Sequence, residues 1–235
     1  MSTSAHTVIV CASPDEPFDW FTASEIVDTH DLPPGIPCPR YPVRRRRILG
    51  WFTRWSARHL ISVVRRFGAV TLTAGGRKSR LDFTVAAGHA HRAAVARWRC
   101  WDQVVRGLPV ARPWPYFLAQ HQATPAKVPY REAVRRFEAQ PRVLAMLAHN
   151  AHPARPVTLD PNELDAYQAG EGTYATLHWQ RAITGDMVIT ADGRLLRPAS
   201  GAVADRLHYL SQALAYLHRL PSGSQLLALR VTTQP

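Results

Sequence analysis

His6-Thr7-Val8-Ile9-Val10-Cys11-Ala12 is the stretch on which the fold turns. It is short, apolar and rich in β-branched residues, as a buried strand should be. Leu226 to Val231, near the opposite end of the chain, has the same character. Between these two runs the hydrophobic spacing is mostly helical. The expected fold class is therefore α+β: helix-dominated, with a small mixed or antiparallel sheet that can pair the N- and C-terminal strands.

Working outward from the first strand, Asp15 to Asp31 mixes acids with Phe18, Trp20, Phe21 and Ile26, so part of it should pack. Pro33, Pro34, Pro37, Pro39 and Pro42 read as an irregular connector. A long helix is expected over 43–67. On a helical wheel Ile48, Phe52, Trp55, His59 and Val63 share one arc, with Arg47, Arg54, Arg58 and Arg65 directly opposite. Ala69 to Ala74 alternates like a strand. Gly75-Gly76-Arg77-Lys78-Ser79 should then turn into a second long helix, from Ser79 to Arg106, with Ser79 and Asp82 as a capping box and Gly107 closing it.

Further along, Pro109, Pro113 and Pro115 predict an irregular stretch around Trp114, followed by helices at 130–139 and 141–150. Trp98 and Trp101 read as core. Asp160-Pro161-Asn162-Glu163 is a helix start, with Pro in the first turn, and the helix should run to Thr184. Asp192-Gly193 between Met187–Thr190 and Leu195-Leu196 marks a hairpin. Val203, Leu207, Leu210, Leu214 and Leu217 form a core stripe on a last helix. The chain divides into 1–42 (acidic strand and Pro-rich connector), 43–150 (basic helical region) and 151–235 (helix, hairpin, helix and strand), which can all belong to one compact domain.

Composition sets the class. With 235 residues, 46% hydrophobic and 20% charged, the chain can form a full core without staples. The three cysteines, Cys11, Cys38 and Cys100, share no close spacing, which argues against a disulfide framework and fits a reducing, cytoplasmic setting. The first twelve residues lack a basic segment and a long apolar run, so no export signal is expected. No window approaches the length of a spanning helix, although the basic region could still bind a membrane surface.

Charge is strongly segregated. Residues 1–37 carry a net −6, residues 38–142 a net +18 and residues 143–235 cancel, giving the overall +12. Arg outnumbers Lys 27 to two, as GC-rich coding produces, so the choice of Arg carries no weight; the sign and its clustering do. Such a field attracts polyanions at long range. Acids normally alternate with arginine on a solvated face, yet residues 43–67 contain none. The expected partner is nucleic acid, with RNA or a single strand favoured because tryptophans interleave with the arginines. The contact residues would be Arg44, Arg45, Arg46, Arg47, Trp51, Arg54, Arg58, Arg65 and Arg66. The glycine turn would add backbone N–H groups at Gly75 and Gly76, beside Arg77, Lys78 and Arg80, although it lacks the Walker A pattern. The protein could be one subunit of a ribonucleoprotein or mobile-element complex. The acidic segment 15–31 could fold over the basic block and be displaced by nucleic acid.

Two other classes compete. One is an enzyme acting on a phosphodiester or phosphorylated substrate. Glu163, Tyr167, Glu171, Tyr174, His178 and Arg181 share one helical face, and Glu171, His178 and Arg181 are the candidate base, acid and anion clamp. Solvated i,i+4 pairs explain the same spacing, and no catalytic assignment is made. The other is a structural module that binds an acidic protein partner. His149 and His152 have the spacing of a metal-ligand pair but sit at a helix end before Pro153, so no metal and no cofactor is expected. Nucleophile elbow, dinucleotide fingerprint, kinase signature and zinc-finger spacing are all missing.

Overall fold

The computed structural model describes residues 4–44, 59–67 and 69–233. Within them one mixed sheet is built from β1 (Ser4–Ala12), β2 (Ile36–Pro37), β3 (Tyr41–Pro42), β4 (Leu60–Arg66), β5 (Ala69–Arg77), β6 (Met187–Ile189), β7 (Leu195–Leu196) and β8 (Gln225–Thr233). The helices are α1 (Trp20–Asp28), α2 (Phe83–Val104), α3 (Trp114–Ala123), α4 (Tyr130–Glu138), α5 (Pro141–Ala151), α6 (Leu164–Gln168), α7 (Glu171–Thr184) and α8 (Val203–Arg219). The protein is α+β. The described residues fall into two compact units. The first runs up to His89 and takes in Trp179–Ala199 and everything from His208 onward; the second is Ala90–His178 with Ser200–Leu207.

The first unit holds the whole sheet. β1 and β8 pair antiparallel along nine positions, from Ser4 opposite Thr233 to Ala12 opposite Gln225. On its other side β1 pairs parallel with β6, Ile9 opposite Val188. A strand flanked on both sides and covered on both faces must be apolar throughout, which is why Val8, Ile9, Val10, Cys11 and Ala12 show no alternation. Val8 and Val10 pack with Ala23 and Val27 of α1 and with Ala74, Ile189, Leu227, Leu229 and Val231. Ile9 and Cys11 point to the opposite face. Each fully buried side chain of this kind contributes about 1.5–3 kcal/mol.

The proline-rich connector is not irregular throughout. β5 and β8 pair only at one end, where Gly75, Gly76 and Arg77 face Leu227, Leu226 and Gln225. Beyond that point segment 36–42 enters between them: Ile36 and Pro37 pair with β8, Tyr41 and Pro42 with β5. Pro37, Pro39 and Pro42 have no N–H to donate. The intervening residues divide theirs, Cys38 to the Ala228 carbonyl at 2.9 Å and Arg40 to the Thr73 carbonyl at 3.0 Å.

Several expectations are corrected here. The end of the predicted 43–67 helix is strand β4, which pairs with β5 from Leu60 opposite Gly76 to Arg66 opposite Ala69. The remainder of that helix, residues 45–58, lies outside the described residues. Strand β5 does not stop at Ala74 but carries Gly75 and Gly76 inside the sheet, and α2 begins at Phe83 rather than Ser79. Its cap is Asp82, whose Oδ1 accepts the Val85 N–H at 3.1 Å. Trp114 opens a helix instead of lying in a loop, and the predicted 160–184 helix is broken. Pro161–Glu163 forms a 3-10 turn capped by Asp160, α6 follows, and Gly170 at φ +99° separates it from α7.

Other expectations hold. α4, α5 and the β6–β7 hairpin are present, with Gly193 at φ +76° in the turn. Gly107 at φ +78° follows the end of α2. Trp101 is buried, and Trp98 is half-buried with its indole N–H donated to the Tyr167 carbonyl at 2.8 Å. On α8 Leu210 and Leu217 are buried as expected, and Tyr209 and Ala213 join them. Among the described residues no helix is long and apolar enough to cross a membrane.

Candidate nucleic-acid interface and a buried ionisable cluster

Arg45, Arg46, Arg47, Trp51, Arg54 and Arg58 lie outside the described residues. Arg44 follows β3, is exposed, and donates its backbone N–H to the Arg80 carbonyl at 2.9 Å. Arg65 and Arg66 are exposed at the end of β4, beside a fully exposed Phe67 held at φ +49°. Arg77 is exposed at the end of β5. Among the described residues no ion pair engages Arg44, Arg66 or Arg77. Asp15, Glu16, Asp19, Glu25, Asp28 and Asp31 likewise pair with no arginine there. Asp19 instead caps α1, its Oδ1 accepting the Thr22 N–H at 3.0 Å.

The glycine turn does not form an anion cradle. Gly75 and Gly76 are buried in β5, each opposite residues of both β4 and β8. A Cβ on Gly75 would stand 2.1 Å from the Leu226 carbonyl oxygen, and one on Gly76 2.1 Å from that of His59. These glycines serve close strand approach. Lys78 is also committed: its ammonium donates to the His218 carbonyl at 2.9 Å and the Leu220 carbonyl at 2.5 Å, closing the C-terminal end of α8. Burial lowers its pKa. Arg80 is half-buried. The first unit also has a cavity of about 400 Å³ lined by Pro42, Val43, Val70, Thr71, Asp82 and Val85, none of them basic.

The proposed base, acid and clamp are not assembled. Glu171 pairs with Arg99 at the surface, 3.2 Å apart. Arg181 pairs with Asp186 at 2.5 Å. His178 instead meets Glu163, its Nε2 3.3 Å from Oε2. Glu163 also accepts the Tyr174 hydroxyl at 2.9 Å and lies 3.9 Å from Arg206. Tyr174 stacks on Tyr167 with centroids 4.3 Å apart, and Tyr167 on Trp101 at 5.2 Å. Burial opposes the charge on Arg97, yet its hydrogen bond with Tyr174 and the nearby Glu163 carboxylate outweigh this and hold its pKa up. Desolvation pushes Tyr167 up to about 12 and Tyr174 higher still.

The result is a half-buried carboxylate facing two guanidinium groups, an imidazole and a phenol, with the Asp165 carboxyl also near Glu163 and Arg206, all within the second unit. Cations outnumber the Glu163 carboxylate there, so removing Glu163 would leave the two guanidinium groups without it as their counter-charge. The expected stripe contained Glu163, Tyr167, Tyr174 and His178, which the structure brings together from a 3-10 turn, α6 and α7. Arg97 and Arg206 come from α2 and α8 with no local spacing to announce them.

His149 and His152 are used locally. His149 Nε2 lies 2.9 Å from the Val157 carbonyl oxygen and 3.8 Å from Cys100 Sγ, and His152 Nδ1 accepts the Ala154 N–H at 3.2 Å. Among the described residues no group of three His, Cys, Asp or Glu side chains is placed to hold a metal.

Comparison of the chain with family models, curated proteins and solved structures found no match.

Proposed function

We propose that this is a cytoplasmic nucleic-acid-binding protein that holds the sugar–phosphate backbone through its basic region, with RNA or a single strand as the favoured ligand. One observation carries the reading. From Leu32 to Leu81 the chain has twelve Lys and Arg and not one acid. The arginines of this run that are exposed include Arg44, Arg66 and Arg77, which form no ion pair among the described residues. Uncompensated cations on one segment repel each other, and a polyanion relieves that repulsion while releasing its own condensed counterions. Among the described residues the acidic segment 15–31 forms no ion pair with Arg44, Arg66 or Arg77, which supports an external anion as their counter-charge. Assembly into a ribonucleoprotein or mobile-element complex is compatible with this role.

The test is the state of the protein after purification in low salt. The reading expects nuclease-sensitive absorbance at the nucleic-acid maximum to co-elute with the chain and to be stripped by high salt. A preparation free of nucleic acid that carries a stoichiometric acidic protein instead would overturn it.

A further inference from the structure

The second unit has an aromatic feature built on α4, an expected helix, and on α3, where the sequence predicts an irregular stretch around Trp114. Helices α3 and α4 are joined by a chain of touching rings: Tyr116 to Phe117 at 5.3 Å, Phe117 to Phe137 at 5.9 Å, Phe137 to Trp114 at 5.6 Å and Trp114 to Tyr130 at 5.8 Å. The middle of the chain is buried, with Phe117 at 8% and Phe137 at 5% exposure. Its two ends are not: Tyr116 is 38% exposed and Tyr130 54%. Each end ring is fixed by edge-to-face contacts, Tyr130 also meeting His121 at 5.8 Å. Rings held this way lose little further freedom on binding.

The surroundings choose the ligand. From Asp102 to Glu138 the chain has six basic residues and three acids, and Arg106 pairs with Asp102 and Arg135 and Arg136 with Glu132. Arg112 lies 4.2 Å from the Tyr116 centroid, and Arg112, Lys127 and Arg131 are exposed without an ion pair among the described residues. Apolar protein partners gain nothing from such flanking charge. An aromatic ring beside a guanidinium matches a nucleobase beside its phosphate. A duplex hides its base faces in the stack, whereas a single strand offers them.

Resting on the nucleic-acid reading, we propose that Tyr116 and Tyr130 are stacking platforms for unpaired bases and that the ligand class is single-stranded nucleic acid, with Arg112 and Arg131 on adjoining phosphates. Stacking is nearly independent of salt; phosphate contact is not. The two contributions therefore separate in one experiment. Anisotropy of a labelled oligo-uridine of about twelve nucleotides and of a duplex of equal length is measured with the full chain between about 50 and 200 mM salt. The double variant Tyr116→Ala/Tyr130→Ala should bind the single strand roughly tenfold or more weakly at every salt, with unchanged slope and unchanged duplex affinity. Tyr116→Phe/Tyr130→Phe, which keeps the rings, should restore binding. Arg112→Gln/Arg131→Gln should instead flatten the slope by about two. Single-strand affinity unaltered in the alanine variant, or an equal loss on the duplex, overturns the stacking assignment while leaving backbone binding in place. Absence of binding by the unsubstituted protein to either probe overturns both.

Discussion

Asp186 accepts the Thr7 N–H through Oδ2 at 2.8 Å and the Arg181 guanidinium through Oδ1 at 2.5 Å, while its own N–H donates to the Thr7 carbonyl at 2.7 Å. It thereby fixes the start of β6 against β1, and Gly185 at φ +68° makes the turn that brings it there. Asp186→Ala should cost about 3 kcal/mol in urea unfolding, since it removes the acceptor of the Thr7 N–H and the ion-pair partner of Arg181 together. Asp186→Asn, which keeps an acceptor, should cost less; equal stability of the alanine variant and the unsubstituted protein would refute this role. Gly75→Ala meets a backbone oxygen rather than a flexible side chain and should cost about 3 kcal/mol or more. The buried phenols set a pH limit. Tyr167 and Tyr174 stay protonated in the fold above the ordinary tyrosine value of 10, whereas the unfolded chain ionises there. Stability should be full below pH 10 and fall as pH rises toward about 12. Tyrosinate absorbance should accordingly show a late step coincident with unfolding.

At the scale of elements, α4 offers a test of its own. Hydrogen bonds from Arg135 and Arg136, each 2.8 Å from a Glu132 carboxylate oxygen, hold that carboxyl at about 2 instead of 4.5. The pair's contribution is present above pH 4.5 and lost as pH falls through about 2. A carboxyl-carbon titration of Glu132 with a midpoint near 4.5 would show that the bridge does not persist in solution. What the sequence revealed about elements followed local chemistry. β1, β8 and the β6–β7 hairpin were legible because β-branched runs and Asp192-Gly193 act within a few residues. β4 was not: Leu60 and Val63 continue the apolar arc of the wheel that begins at Ile48, Ile61 and Val64 fall outside it, and pairing with β5 makes all four strand residues. Gly75 and Gly76 looked like punctuation because the reason for them, the approach of β8 and β4, is distant in sequence. Pro113 and Pro115 suggested a loop, yet a proline at or just inside a helix start loses no hydrogen bond, and α3 begins between them.

For the whole molecule the informative property is where charge is left unmatched. Most ion pairs in the described residues join neighbours, Arg106 with Asp102, Arg135 and Arg136 with Glu132, Arg181 with Asp186 and Arg194 with Asp192, while Arg99 with Glu171 and Arg206 and His178 with Glu163 join residues distant in sequence. None draws on the acids of 15–31, so the segregation visible in the sequence survives folding there. The candidate site was legible at this coarse level and not in detail. Net charge is additive along a chain, whereas the Glu163 cluster and the ring chain of α3 and α4 depend on which distant helices meet. The most direct test of the account is the salt dependence of binding to a mixed-sequence RNA by nuclease-treated full-length protein. If roughly six to ten phosphates are neutralised, affinity should fall about 10³–10⁵-fold between 50 and 200 mM salt, linearly in the logarithms. A flat response, or no binding at the lowest salt, would contradict it.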